Sequence, residues 1–232
     1  MRRISSSSEY FRDMSKREYI RTTQEIIQKE GRDAVSIRRL AQEMHCSTAN
    51  LYRYFNNQQE LLYYAELTRH SDYVRKLNEA EKNWKNIWDF YVGIWDCYCR
   101  EAFRNPEVYD MLFLQAQTDT LKNSIAEYYS LFPESIRETN GIFLSMLTQK
   151  DFMARDYEAC RKCVEVGALD EAGAERLNRM VCHQYEGYLK SILDKPLTAE
   201  EVNWKVWQFI DDVDWIVMHL AKDLKGYCGY GK

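Results

Sequence analysis

The chain has 232 residues, with 32 Lys+Arg against 36 Asp+Glu and a net charge of −4, so it lacks the basic balance that usually marks a nucleic-acid binder. A mean hydropathy of −0.60 and the absence of any run of about 18 apolar residues exclude a membrane span, while 45% hydrophobic and 14% aromatic content excludes collagen-like and disordered chains. Nine Gly and three Pro are too few for the frequent turns of a strand protein, so an all-α chain of one large or two unequal domains is expected.

Residues 1–14 hold a run of serines and read as a loose arm, without the apolar stretch of a secretory signal. Ser15 with Glu18 forms a capping box for a first helix ending near Gly31, with Ile20, Thr23, Ile26 and Ile27 as its inward stripe. Ser36 can cap a second, short helix from Ile37 to about Met44. Ser47 can cap a third, from Thr48 to about Tyr54, and Asn57 with Glu60 opens a fourth. A long helix followed by two short ones joined by a tight turn is the plan of a helix-turn-helix unit, whose second short helix enters the DNA major groove.

Beyond residue 60 the helices lengthen. Trp84, Trp88, Tyr91, Trp95 and Tyr98 recur every three or four residues, an aromatic stripe on one helix face. Pro106 breaks that helix, and a single further helix is expected from about Glu107 to Phe132. The last helix, about Thr198 to Leu224, and the one before it carry wide apolar faces. Each could bury one side in its own domain and another against a partner.

Residues Gly31 to Phe55, GRDAVSIRRLAQEMHCSTANLYRYF, followed by Gln59-Glu60-Leu61-Leu62, resemble the N-terminal domain of TetR-family transcriptional regulators over about residues 15–67. The resemblance implies an N-terminal helix-turn-helix domain (residues 1–60, with a flexible arm) and a larger helical ligand-binding and dimerisation domain (residues 61–232). It implies a ligand-responsive, sequence-specific regulator, a repressor released from operator DNA by a small molecule. It implies a homodimer paired through the two C-terminal helices. Seven unevenly spaced cysteines read as mostly reduced thiols of a cytoplasmic protein, no apolar run suggests membrane association, and no catalytic motif points to an enzyme or a cofactor.

Residue by residue, it places Ser36 on a phosphate, Arg38 and Arg39 on a base edge or the backbone, and Thr48, Ala49 and Asn50 on base edges. Tyr52, Arg53 and Tyr54 would face the DNA backbone, sugars or thymine methyls. The side-chain chemistry agrees: Asn pairs bidentately with adenine, Arg with guanine, and Ala and Thr methyls meet thymine. Two positions depart from the family pattern. His45 stands where the turn commonly has Gly, and Gln58 stands where a Lys commonly meets phosphate, which removes a charge-assisted contact.

Other motifs leave alternatives open. The stripe Trp84, Trp88, Tyr91, Trp95 and Tyr98 suits plain core or the wall of a ligand cavity for planar or cationic molecules. Cys160-Arg-Lys-Cys163, with Cys182-His183, suits inert reduced thiols, a zinc site, or a thiol-based redox or metal sensor using the same DNA-binding domain. Asp211, Asp212 and Asp214 suit a solvated or interface edge, or a cationic ligand. Splitting the charge resolves the opening objection: residues 1–60 hold 11 basic and 8 acidic side chains (+3), and residues 61–232 hold 21 and 28 (−7).

Overall fold

The structure, a computed structural model, describes residues 7–115, 119–136, 139, 141–149, 151–224 and 226–231. All regular structure among them is helical. In chain order the α-helices are α1 (Ser7–Glu30), α2 (Ile37–Glu43), α3 (Thr48–Leu51), α4 (Gln58–Glu81), α5 (Ile87–Ala102), α6 (Pro106–Tyr109), α7 (Asp119–Leu131), α8 (Gly141–Thr148), α9 (Phe152–Glu165), α10 (Glu171–Lys190) and α11 (Ala199–Leu220). The chain is all-α, with an N-terminal helix-turn-helix, as the shortage of glycine and proline predicts.

Two compact units emerge, Met1–His70 with Asp119–Ser135, and Ser71–Thr118 with Ile136–Lys232. In the first, α1 buries Ile20, Thr23 and Ile26, and α2, α3 and α4 contribute Ile37, Leu40, Leu51 and Leu61 to the same core, joined by Phe55 from the connection between α3 and α4. Helix α7 completes it. The Lys16 ammonium pairs with Glu127 at 2.7 Å and lies 4.0 Å above the Tyr64 ring, and the Tyr64 hydroxyl donates to the same Glu127 carboxylate. The Tyr128 hydroxyl donates to Thr68 at 3.1 Å. The second unit is built around α5, whose buried residues include Trp88, Tyr91, Trp95, Cys99 and Ala102, with α9, α10 and α11 packed on it or on one another.

Five expected boundaries move. The third helix, expected to reach about Tyr54, ends at Leu51 with Tyr52 as its C-cap. The first helix begins at Ser7, since nothing in residues 7–14 breaks a helix; Ser15 is interior and its hydroxyl donates to the Phe11 carbonyl at 2.9 Å. The rest of the expected arm, including Arg2 and Arg3, lies outside the described residues. The helix carrying the aromatic stripe begins at Ile87, where Asn86 accepts from the amides of Trp88 and Asp89, both at 2.9 Å. Trp84 therefore precedes that helix.

The single helix expected from Glu107 to Phe132 is interrupted. Pro106 opens α6, and residues Asp110–Leu114 then widen into a π turn in which the Gln115 amide reaches the Asp110 carbonyl at 2.8 Å. Helix α11 starts with a reciprocal capping box between Thr198 and Glu201 and stops at Leu220. The tail after it folds back. The Lys222 amide donates to the Ala168 carbonyl, the Trp88 indole donates to the Asp223 carbonyl, and Asp214 accepts from the Tyr227 hydroxyl and the Tyr230 amide.

Candidate nucleic-acid interface

The turn between α2 and α3 is made without glycine. Met44 ends α2, His45 takes a left-handed conformation at φ +50°, and the amides of His45 and Cys46 return to the carbonyls of Gln42 (3.2 Å) and Ala41 (3.0 Å). Those two bonds satisfy the last carbonyls of α2 in a Schellman arrangement, and His is among the side chains that tolerate that conformation best. Ser36 and Ser47 cap α2 and α3 as expected, accepting from the amides of Arg39 (3.0 Å) and Asn50 (3.3 Å).

With the backbone satisfied internally, the side chains facing outward are left with unspent hydrogen-bonding capacity. Arg38, Thr48, Ala49, Asn50, Tyr52 and Arg53 are all exposed, while Leu51 between them is fully buried and fixes the face they share. Beside α3 an open recess is lined by Ser36, Ile37, Arg38, Tyr52, Asn56, Asn57 and Gln58. It presents a hydroxyl, a guanidinium, a phenol and three amides, a donor-rich seat for an oxyanion such as a phosphate.

Two residues singled out from sequence are less free than expected. Arg39 spends its guanidinium on Glu43 (2.5 Å) and Glu30 (2.8 Å), pairings that hold its pKa above and Glu43's below their ordinary values. It ties α2 to the end of α1, so its charge reaches DNA only by giving up those partners. Tyr54 is half-buried, its ring edge-on to Tyr19 at 5.1 Å. Sequence reasoning also missed what Gln58 does: its amide donates to the Val35 carbonyl at 2.9 Å and pins the start of α4 to the segment before α2. The Glu60 carboxylate, accepting from the Asn56 amide at 2.6 Å, fixes the same corner.

In the second unit the aromatic stripe separates into two groups. Trp84, Trp88 and Tyr91 have structural partners. The Trp84 ring fills the space over Gly93, where an added Cβ would stand 2.4 Å from it, and Trp88 anchors the tail. Tyr91 donates to Asp156 at 3.3 Å. Trp95 and Tyr98 instead enter a continuous aromatic cluster with Phe103, Tyr109, Phe113, Phe152, Tyr185 and Phe209.

Asp156 sits at the edge of this cluster, fully enclosed. It accepts from the Trp95 indole (2.8 Å), Asn178 (2.9 Å), Tyr91 and the Cys160 thiol, and burial outweighs these bonds to push its carboxyl up to about 6. The same burial pushes Cys163 up to about 12 and Cys160 and Cys182 upward as well, so these thiols stay protonated. Arg161 turns outward to Glu158 and Glu165, and no group of three or more His, Cys, Asp or Glu among the described residues is placed to hold a metal. The redox- or metal-sensor alternative therefore has no support.

The acidic triplet divides too. Asp214 is buried under the tail, Asp212 accepts from Gln184 and Tyr188 (2.6 Å each) and clamps α10 to α11, and Asp211 is exposed. The outer side of α11 carries exposed Trp204, Trp207 and Trp215, with Trp204 and Trp207 stacked at 4.8 Å. No helix among the described residues is long and apolar enough to cross a membrane.

Residues 20–65 match the family model of the bacterial regulatory proteins, tetR family. No curated protein matches the chain in sequence. Among solved structures, a protein from Shewanella sp. PV-4 described as belonging to the tetR family of transcription regulators is 16% identical with a TM-score of 0.47, over 90% of this chain and 98% of its own. The fatty acid degradation regulator FadR from Bacillus halodurans is 11% identical at 0.47, over 92% and 96%. The TetR family transcriptional regulator PfmR from Thermus thermophilus is 17% identical at 0.43, over 86% and 97%.

Proposed function

With residues 20–65 forming a helix-turn-helix domain of the tetR-family type, we propose that this protein is a sequence-specific, homodimeric DNA-binding regulator, a repressor released from its operator by a small molecule. The observation that carries the reading is the outward face of α3: Thr48, Ala49, Asn50 and Tyr52 stand exposed on a buried Leu51 beside a donor-rich recess. Asn50 and Arg38 read base edges. Ser36, Tyr52 and Arg53 hold the backbone, with Gln58 positioning the recess and Arg39 bracing α2. Such contacts divide the work, because phosphate contacts set register and base contacts carry sequence.

A mildly basic head gains its affinity from pairing two copies. The exposed Trp204, Trp207 and Trp215 on α11 are large apolar side chains of the kind that anchor interfaces, and they support pairing through α10 and α11. Two heads about 34–36 Å apart reach half-sites one helical turn apart on the same face of a duplex. The cluster around Trp95 and Tyr98 supports a ligand site in the second unit. Its effect has a covalent route to the head, because α4 begins in the first unit and ends in the second, and α7 belongs to the first unit while the chain on either side of it belongs to the second. The protein acts in the cytoplasm, where its unpaired thiols stay reduced.

The test is selection from a random duplex pool by the full-length protein. The reading expects a two-fold-symmetric site with half-sites about one turn apart, bound by a dimer that a Trp204→Asp/Trp207→Asp variant loses. Recovery of DNA with no shared sequence would overturn it.

A further inference from the structure

The aromatic cluster of the second unit holds a polar pair that its packing leaves unused. Tyr98 on α5 and Tyr185 on α10 are 6% and 0% exposed, their rings lie 5.2 Å apart, and neither hydroxyl has a hydrogen-bond partner of ordinary geometry among the described residues. Burial raises both phenols well above their usual range, so both keep their protons. The two hydroxyls influence one another, but a contact between them uses one proton and leaves the other without an acceptor. A buried donor left unmet costs stability, and in a packed core it marks a place where another molecule completes the bonding.

The surroundings say what kind of molecule. Phe113 and Phe152, each 5.8 Å from the Tyr98 ring, are only half-buried, so the cluster reaches the surface there. Phe113 stands in the π turn, a backbone form that recurs at functional sites. The Arg155 guanidinium lies 4.7 Å over its ring and donates to the carbonyls of Leu147 (2.9 Å) and Gln149 (3.3 Å). The space the Phe113 ring fills is thus covered by a cation on one face and neighboured by the Tyr98 ring. The carboxylate of Asp156, across Trp95, is already met by four donors and does not call for a cationic guest.

We propose that Tyr98 and Tyr185 are the recognition pair for a planar aromatic carboxylate, which takes the place of the Phe113 ring beneath Arg155 and accepts the hydroxyl protons. The inference rests on the ligand-responsive reading above and names the effector's chemical class. It also gives the aromatic site a position in the chain: Phe113 lies six residues before Asp119, the first residue of α7, the helix whose Glu127 holds Lys16.

The experiment pairs stability with binding, using the full chain. Tyr98→Phe/Tyr185→Phe in the absence of ligand should raise Tm by about 2–4 °C, because it removes the unmet buried proton without stranding the other hydroxyl, whereas a satisfied pair would lose stability. Calorimetric titration with benzoate, salicylate and 2-naphthoate should find at least one binder. Tyr185→Phe should weaken it about tenfold and Tyr98→Phe/Tyr185→Phe further, and the uncharged carboxamide of the same ring should bind at least tenfold more weakly than the acid.

A fall in Tm for the double variant, failure of all three acids to bind, or equal binding of acid and amide would each overturn the assignment. If the acids bind as expected yet leave operator occupancy unchanged, the site stands and the ligand-released repressor reading falls.

Discussion

The two units handle their polar groups in opposite ways. In the head, the amides freed at the starts of α2 and α3 are met locally by Ser36 and Ser47, and the Schellman bonds of His45 and Cys46 close the turn. The exposed side chains of α3 are therefore available to something outside the protein. In the second unit the polar groups are drawn inward: Trp95, Tyr91 and Asn178 all donate to Asp156, Asp214 holds the tail, and the Tyr98–Tyr185 pair keeps an unmatched proton among rings. A surface that reads a rigid polyanion needs donors already in water, whereas a site for a small aromatic guest must desolvate it, so its polar groups are few and buried.

That contrast breaks most sharply at the head's own core. Leu51 is fully buried under the reading face, and Leu51→Ala should cost about 2–5 kcal/mol and abolish DNA binding. All six tryptophans lie in the second unit, so its fluorescence melt should hardly move while far-ultraviolet dichroism reports early loss of helix. A single coincident transition shifted in both signals would show that the units do not unfold separately.

The next effect belongs to the second unit. Asp156 has a folded-state pKa of about 6, above its unfolded value, so the native state holds the proton more tightly and the group subtracts stability as pH rises through that interval. The subtraction is absent below about pH 4 and complete above about pH 6, where it amounts to about 3 kcal/mol. Urea unfolding followed by tryptophan fluorescence between pH 4 and 7.5 should therefore show Asp156→Asn without this downward contribution. Parallel pH profiles for the two proteins would contradict the buried-carboxylate account.

Smaller changes sharpen the head. Gln58→Lys should add one phosphate contact and steepen the salt dependence of log K by about 0.9, while losing the bond to the Val35 carbonyl at a cost of about 1 kcal/mol in head stability. A salt slope unchanged from wild type would place residue 58 away from the DNA backbone. Least of all, His45→Gly should stabilise the head by up to about 1 kcal/mol, because only glycine takes the left-handed turn position without steric penalty. A lower melting temperature would mean that the imidazole makes a contact worth more than that strain.

The head was far more legible in the sequence than the rest. Its signals are local: Ser36, Ser47 and Asn57 each stand three residues before the amide they cap, and Leu40, Leu51 and Phe55 sit at helical spacing on the buried side. What escaped was non-local. Arg39 is a free cation by sequence and a doubly paired one by structure, because Glu30 reaches it from another helix. Gln58 reads in the sequence only as a missing phosphate contact, and its bond to the Val35 carbonyl leaves no mark there.

In the second unit the period of Trp84 to Tyr98 is genuine, but period alone cannot tell a ring that plugs Gly93 or ties down the tail from one that faces a cluster. Asp156, Tyr185 and Phe113 come together from α9, α10 and the π turn, and no spacing in the chain announces that meeting. The π turn itself replaced an expected unbroken helix, since a single extra residue per turn leaves no mark in composition.

The central claim is that α3 reads bases. Its most direct test is fluorescence anisotropy of wild type and Asn50→Ala, side by side, on the selected operator, on that operator with each half-site position substituted, and on random duplex. The account predicts that Asn50→Ala loses about 1–3 kcal/mol on the operator, roughly tenfold or more, and no longer discriminates at one symmetric pair of positions, while random-duplex binding and its salt slope stay unchanged. Equal losses on operator and random DNA, or a discrimination profile identical to wild type, would contradict it.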